Sequence, residues 1–141
     1  MTIKQLSVFL ENKSGRLAEV LRILGQAGIN IYALTIADTS EYGILRLIVN
    51  DAEKAIEFLK QQEFTSNLTD VIAVLIDNHA GAYADIIQLL AESNLSIDYT
   101  YAIGLGHKAA LILRPENIET TLNTLVKNGV EFLSISDLAK I

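Results

Sequence analysis

The sequence predicts an α+β fold made of two similar units, and three observations carry that prediction. An apolar alternation over Ile3 to Leu10 gives way to helical spacing from Leu17 to Ala27. The same succession returns 66 positions later, where Asp77-Asn78-His79-Ala80-Gly81-Ala82-Tyr83 stands as Glu11-Asn12-Lys13-Ser14-Gly15-Arg16-Leu17 does. Each half then continues with two further strand patterns, a helix pattern and a last strand, which divides the chain into units 1–69 and 70–141.

In the first strand Leu6, Val8 and Leu10 alternate with Gln5 and Ser7, while Phe9 breaks the alternation. In the helix after it, Leu17, Val20, Leu21, Leu24 and Ala27 form the apolar stripe, with Arg16, Glu19, Arg22 and Gln26 opposite. Ser14 or Asn12 is placed to cap this helix, and Gly28 to end it in the left-handed region. Asn94 is the equivalent of Gly28, and Asn tolerates that region best after Gly. Ile29 to Ala37 and Ile44 to Val49 read as a hairpin joined by the polar turn Asp38 to Gly43. Asn50 or Asp51 then caps a helix with Ala52, Ala55, Ile56 and Leu59 inward, and a short strand at Phe64 to Leu68 closes the unit.

The second unit opens on Val71 to Ile76, whose unbroken apolar character suits a strand covered on both faces. Its first helix carries Tyr83, Ile86, Ile87 and Leu90; a hairpin follows over Leu95 to Leu113, turning at Gly104 to Lys108. Pro115 is expected at a helix start, where its missing N–H costs nothing, and Asn128-Gly129 at that helix's end. Val130 to Ser136 is expected as the last strand. This order packs two helices on one face of a four-stranded antiparallel sheet, the ferredoxin-like βαββαβ arrangement. Exposed sheet edges favour joining the two units edge to edge with the helices on one side.

Composition narrows the function. Half of the 141 residues are apolar and 20% are charged, which suits a folded core. The net charge of −6, without a Lys/Arg cluster, argues against nucleic acid. The absence of Cys excludes disulfides and thiol chemistry, and the two histidines, His79 and His107, lie in different loops, so neither a metal site nor a cofactor is expected. The N-terminal residues run straight into a strand pattern; no signal peptide or membrane span is expected, and the default location is cytoplasmic. Gly104-Leu105-Gly106 lies in a hairpin and lacks the third glycine of a dinucleotide fingerprint. Asp38 and Glu41 read as solvated charges, so no catalytic residue is expected and the protein is read as a non-enzyme.

The candidate site is the glycine turn. A helix start offers free N–H groups and a positive dipole end, to which a carboxylate is suited. Asn12 and Asn30 add amides that accept from an ammonium and donate to a carboxylate, so together they suit a zwitterion. Taken singly, a Gly between strand and helix also serves as a plain turn, and an Asn before a helix as a plain cap. Tyr32, Tyr99 and Tyr101, on or beside the second strands, read as interface filler or as apolar pocket walls. His79 stands at the tip of the second turn, either facing a ligand carboxylate or solvated.

The run Glu-Asn-Lys-Ser-Gly-Arg-Leu-Ala-Glu-Val-Leu from Glu11, followed by Ala27-Gly28-Ile29-Asn30-Ile31, resembles the opening of an ACT domain, the small-molecule regulatory module of many enzymes of amino-acid metabolism. Asn78 to Ile87 and Asn94-Leu95-Ser96-Ile97 repeat it, so the resemblance covers essentially the whole chain as a tandem pair. It implies an effector pocket built from the glycine turn, the first helix start and the second strand start. That carries over to Asn12, Ser14, Gly15 and Asn30, with Asn78 and Gly81 matching in the second unit, and the candidate site around them takes in Lys13, Arg16, Leu17 and Ile31, and His79, Ala80, Ala82, Tyr83 and Ser96. Ser14 and Ala80 stand where the family often has Pro, and Ser96 replaces the strand Asn, which favours the first loop. The implied function is amino-acid sensing, with pairing of modules within the chain or in a homodimer. The alternative is a ligand-free interaction module docking on a metabolic enzyme or transporter.

Overall fold

The computed structural model describes the chain apart from Asn12, Thr39, Ser40 and Ile141, with the backbone alone described at Asp38. The elements run β1 (Thr2–Glu11), α1 (Arg16–Gln26), β2 (Ile31–Asp38), β3 (Tyr42–Val49), α2 (Ala52–Gln61), β4 (Ser66–Asp77), α3 (Ala82–Glu92), β5 (Ile97–Leu105), β6 (Lys108–Pro115), α4 (Ile118–Lys127), β7 (Glu131–Phe132) and α5 (Ile135–Ala139). They form two compact units, Lys4–Thr69 and Asp70–Ile141 together with Met1–Ile3, so the division falls inside β4. The class is α+β, with ferredoxin-like units of antiparallel strands and packed helices.

In the first unit β3 lies between β1 and β2, with Leu6 opposite Leu47, Val8 opposite Leu45 and Glu11 opposite Tyr42. Directly opposed residues share a face. Leu6, Val8, Leu10, Leu45, Leu47 and Val49 therefore form one apolar surface, against which Val20 and Leu24 of α1 and Ala55 and Leu59 of α2 are buried. The second unit repeats this with β4 and β5 flanking β6, and β7 on the other side of β4. Ile72, Val74, Ile76, Ala109, Leu111 and Leu113 meet Leu90 of α3 and Leu125 of α4.

The repeat holds at each element end. Asp51 accepts from the N–H of Lys54 at 3.1 Å, and Asn117 from that of Thr120 at 3.1 Å. Gly28 (φ 75°) and Asn94 (φ 57°) both end their helices left-handed. Ile29 donates to the Leu24 carbonyl and Leu95 to that of Leu90, both at 2.9 Å. Glu63 (φ 63°) and Gly129 (φ 71°) make the same left-handed corner before β4 and β7.

Four expectations are corrected. The strands expected at Phe64 to Leu68 and Val71 to Ile76 are one strand, β4, because Thr69 and Asp70 contain no Gly or Pro to interrupt an extended backbone. Pro115 does not start a helix; it ends β6 opposite Ile97, and Asn117 caps α4 instead. The last strand is two residues long, because Ser134 and Asp137 form a reciprocal capping box that starts α5. Nor does Ser14 cap α1: its N-cap is Gly15, without a side-chain hydrogen bond. Of the polar turn before β3, Thr39 and Ser40 lie outside the described residues.

Since Asp51 and Asn117 hold equivalent caps, Asp51→Ala and Asn117→Ala should each lower stability by about 1 kcal/mol in urea unfolding. Hydrogen bonds from the Ser134 backbone N–H and then from its hydroxyl hold the Asp137 carboxyl below the ordinary aspartate range. A depressed carboxyl stabilises above its unfolded pKa and stops doing so as the pH falls through its folded one. Amide exchange in α5 should therefore accelerate, relative to the unfolded reference, as the pH drops below that range, and Asp137→Asn should remove the dependence.

Candidate functional site

Both glycine turns are built alike. Gly15 (φ 86°, ψ −11°) and Gly81 (φ 92°, ψ −13°) are the left-handed N-caps of α1 and α3, and neither helix has a side-chain cap. Arg16 donates its N–H to the Lys13 carbonyl at 3.3 Å and Ala82 to that of His79 at 3.2 Å. A Cβ on either glycine would meet nothing within 4 Å, so backbone conformation, not crowding, demands Gly at both places. The uncapped helix starts open onto solvent at the loop tips.

Around these turns the expected site residues separate into groups. Asn12 lies outside the described residues. Lys13, Ser14 and Gly15 are exposed at the first tip, with Lys13 Nζ 2.9 Å from Glu11. That contact holds the Glu11 carboxyl below its usual range. Leu17 packs against the core. Arg16 lies with its guanidinium 4.3 Å from the centroid of the Phe64 ring; its Nη1 pairs with Glu19 at 2.9 Å, and its buried Nε has no hydrogen-bond partner.

Asn30 and Ile31 are elsewhere. Asn30 donates its N–H to Asn50 Oδ1 at 2.9 Å, and Ile31 pairs with Val49, whereas Tyr42 at the other end of β3 pairs with Glu11. Tyr42 and Val49 are seven steps apart along the strand, roughly 23 Å at the usual rise per residue. Asn30 and the Gly15 loop of one unit thus face opposite ends of the sheet. Ser96 repeats the Asn30 position, its carbonyl accepting from Glu116 at 3.0 Å.

In the second turn Asn78 holds the β5–β6 hairpin: its N–H donates to the His107 carbonyl and its Nδ2 to that of Gly106, both at 2.9 Å. His79 is exposed, with Nδ1 3.0 Å from the Ala80 carbonyl oxygen and Nε2 4.0 Å from Asp77. Ala80 and Gly81 are exposed, Ala82 is buried in the core and Tyr83 is exposed. Lys108 donates to Asp77, which holds the Asp77 carboxyl below and the Lys108 ammonium above their ordinary ranges.

Sequence reasoning missed the walls beneath each turn. A cavity of about 340 Å³ lies between the end of β1, the start of α1 and the corner before β4, walled by Phe9, Tyr42 and Phe64 with Arg16, Glu11 and Glu63. The second unit has a cavity of about 340 Å³ at the equivalent place. Applying the 66-residue offset to the corner at Glu63, where the other repeat has Gly129, is the signal that would have found it. Among the described residues no group of His, Cys, Asp and Glu is placed to hold a metal ion, and no helix is long and apolar enough to cross a membrane.

A family model described as an ACT domain pair matches residues 1–141. The chain belongs to the ACT domain pair family. Protein BT0572 from Bacteroides thetaiotaomicron is similar over 100% of this chain and 98% of its own, at 41% identity and a TM-score of 0.95. The acetolactate synthase small subunit of Buchnera aphidicola is 32% identical over 63% of this chain and 57% of its own. The Escherichia coli acetolactate synthase isozyme 3 small subunit is 38% identical over 49% of this chain and 42% of its own. This ACT domain pair thus spans about half the length of the curated relatives it matches. The regulatory subunit of aspartate kinase from Thermus thermophilus, at 17% identity and a TM-score of 0.64 over 88% of this chain and 90% of its own, shares the fold.

Since Gly15 and Gly81 adopt a backbone that costs an L-residue roughly 1–2 kcal/mol, Gly15→Ala and Gly81→Ala should each lose about that much stability in urea unfolding. A loss below a few tenths would mean that the turn relaxes.

Proposed function

We propose that this ACT domain pair is a non-catalytic regulatory protein that binds an amino acid at its glycine turns. One observation carries the reading. The helices α2, α4 and α5 start with side-chain caps from Asp51, Asn117 and Ser134, whereas α1 and α3, which follow the glycine turns, have none. An uncapped N-terminus keeps N–H groups available to a carboxylate, and the dipole favours that charge.

Asn30 lies at the opposite end of the sheet from the Gly15 turn of its own unit, so a ligand held by both draws Asn30 from a second copy of the chain. This supports a homodimer. The apolar Leu34 and Ile36, 47% and 42% exposed on the edge strand β2, support the same pairing. A ligand that bridges two copies binds the paired form more tightly, and that difference in affinity is what transmits occupancy. The similarity to acetolactate synthase small subunits supports a place beside a biosynthetic enzyme of amino-acid metabolism, and a cytoplasmic one.

The test is a thermal-shift screen of the chain against the twenty amino acids. A ligand at about a hundred times its dissociation constant adds roughly 2.7 kcal/mol to the native state. A selective rise is expected, lost in Gly15→Val at unchanged circular dichroism, with sedimentation showing more dimer in its presence. No response to any amino acid, or an undiminished response in a folded Gly15→Val, overturns the proposal and favours a ligand-free docking module.

A further inference from the structure

The two cavities beneath the glycine turns share one plan and differ in chemistry. Each of the eight residues around the first has its counterpart, 66 positions on, around the second. Duplication therefore supplies an internal control, since whatever the fold alone requires must appear in both.

What the first cavity has in addition is specific. Phe9, Tyr42 and Phe64 give it three aromatic walls, where the second has Leu75, Lys108 and Val130. Arg16 lines it where the second has Ala82, and Glu63 where the second has Gly129. Both distinctive charged residues carry a cost. The Arg16 Nε is buried without an acceptor, a situation that ordinarily destabilises and asks for an explanation. Glu63 occupies a left-handed corner that suits glycine, the residue found at the repeated position. In the second cavity the positions of Glu11 and Tyr42 are taken by Asp77 and Lys108, which pair with each other.

We propose that the Arg16 cavity of the first unit is a binding site for an L-α-amino acid with an aromatic or large aliphatic side chain, and that its counterpart in the second unit does not bind this class. The Arg16 guanidinium on the wall matches a carboxylate, the Glu63 carboxylate, with the Lys13-paired Glu11 beside it, matches an ammonium, and three rings match an apolar side chain. A zwitterion with an apolar substituent satisfies all three at once. The volume of about 340 Å³ lies at the small end of the roughly 300–1,000 Å³ common to small-molecule sites, which suits a single amino acid. This rests on the amino-acid reading above and deepens it, naming the side-chain class and a single occupied unit.

The experiment is a calorimetric titration of the full chain with L-phenylalanine and L-leucine, paired with amide chemical-shift mapping. L-Aspartate, L-lysine, phenylpyruvate and phenethylamine serve as comparisons; the last two each lack one charge of the zwitterion. The expected result is one equivalent of L-phenylalanine or L-leucine per chain, with shifts at Glu11, Tyr42 and Glu63 to Thr65. The comparison compounds should bind at least tenfold more weakly. Arg16→Gln and Glu63→Gly should each weaken binding at least tenfold, and Glu63→Gly, which relieves the left-handed corner, should leave the unfolding midpoint unchanged or higher. Two equivalents per chain, undiminished binding in Arg16→Gln, or preference for aspartate or lysine overturns the assignment. Shifts confined to the Gly15 and Gly81 tips and Asn30 would overturn the cavity while leaving amino-acid sensing at the turns intact. Silence towards all twenty amino acids would remove both.

Discussion

The left-handed backbone at Gly15 and Gly81 is the constraint on which both units depend. In each unit a strand must reverse into a helix that packs back over the same sheet, and the reversal is made by one residue with φ near 90°. If that turn were wider, α1 would not bring Val20 and Leu24 over Leu6 and Val8, and the core surface of β1 would lie open. The turn also leaves the helix start without a side-chain cap, because glycine has no atom to offer. The fold and the proposed site thus draw on one piece of backbone.

Duplication separates what the fold requires from what one unit has of its own. Two units with the same caps, the same left-handed helix ends and the same corner before the last strand meet the same folding requirements. The residues at those shared features differ while the backbone is the same, as Gly28 against Asn94 and Glu63 against Gly129 show, and the cavity walls differ as well. In the second unit the amide of Asn78, placed like Asn12 in sequence, donates to the Gly106 carbonyl and holds a hairpin. Positions such as Gly28 and Asn94 or Glu63 and Gly129 are thus equivalent in backbone and not in chemistry.

Much of the fold was legible because the relevant forces are local. The helical stripe of α1, the cap at Asp51 and the left-handed ends at Gly28 and Asn94 all follow from neighbours within a turn or two, whereas the alternation in β1 did not predict that Gln5 and Ser7 are buried. The misreadings occurred where two local signals competed. Pro115 satisfies a helix start and equally a strand end, and its pairing with Ile97 across the sheet decided for the latter. Val130 to Ser136 has strand character, yet only Glu131 and Phe132 pair, and the Ser134–Asp137 capping box turns the end of that stretch into a helix.

The sequence by itself determined the repeat, the fold class and the glycine turns, because hydrophobic period and positive-φ preference are properties of the chain alone. The family resemblance was carried by those same residues. Only the tertiary structure decided that Asn30 and the Gly15 turn lie at opposite ends of β3, since strand register sets that distance. It also brought Arg16 over Phe64, 48 positions apart in the chain, and walled a cavity with Phe9 and Tyr42. Such a cavity is a product of register and helix packing, and no local period records which side chains will meet there.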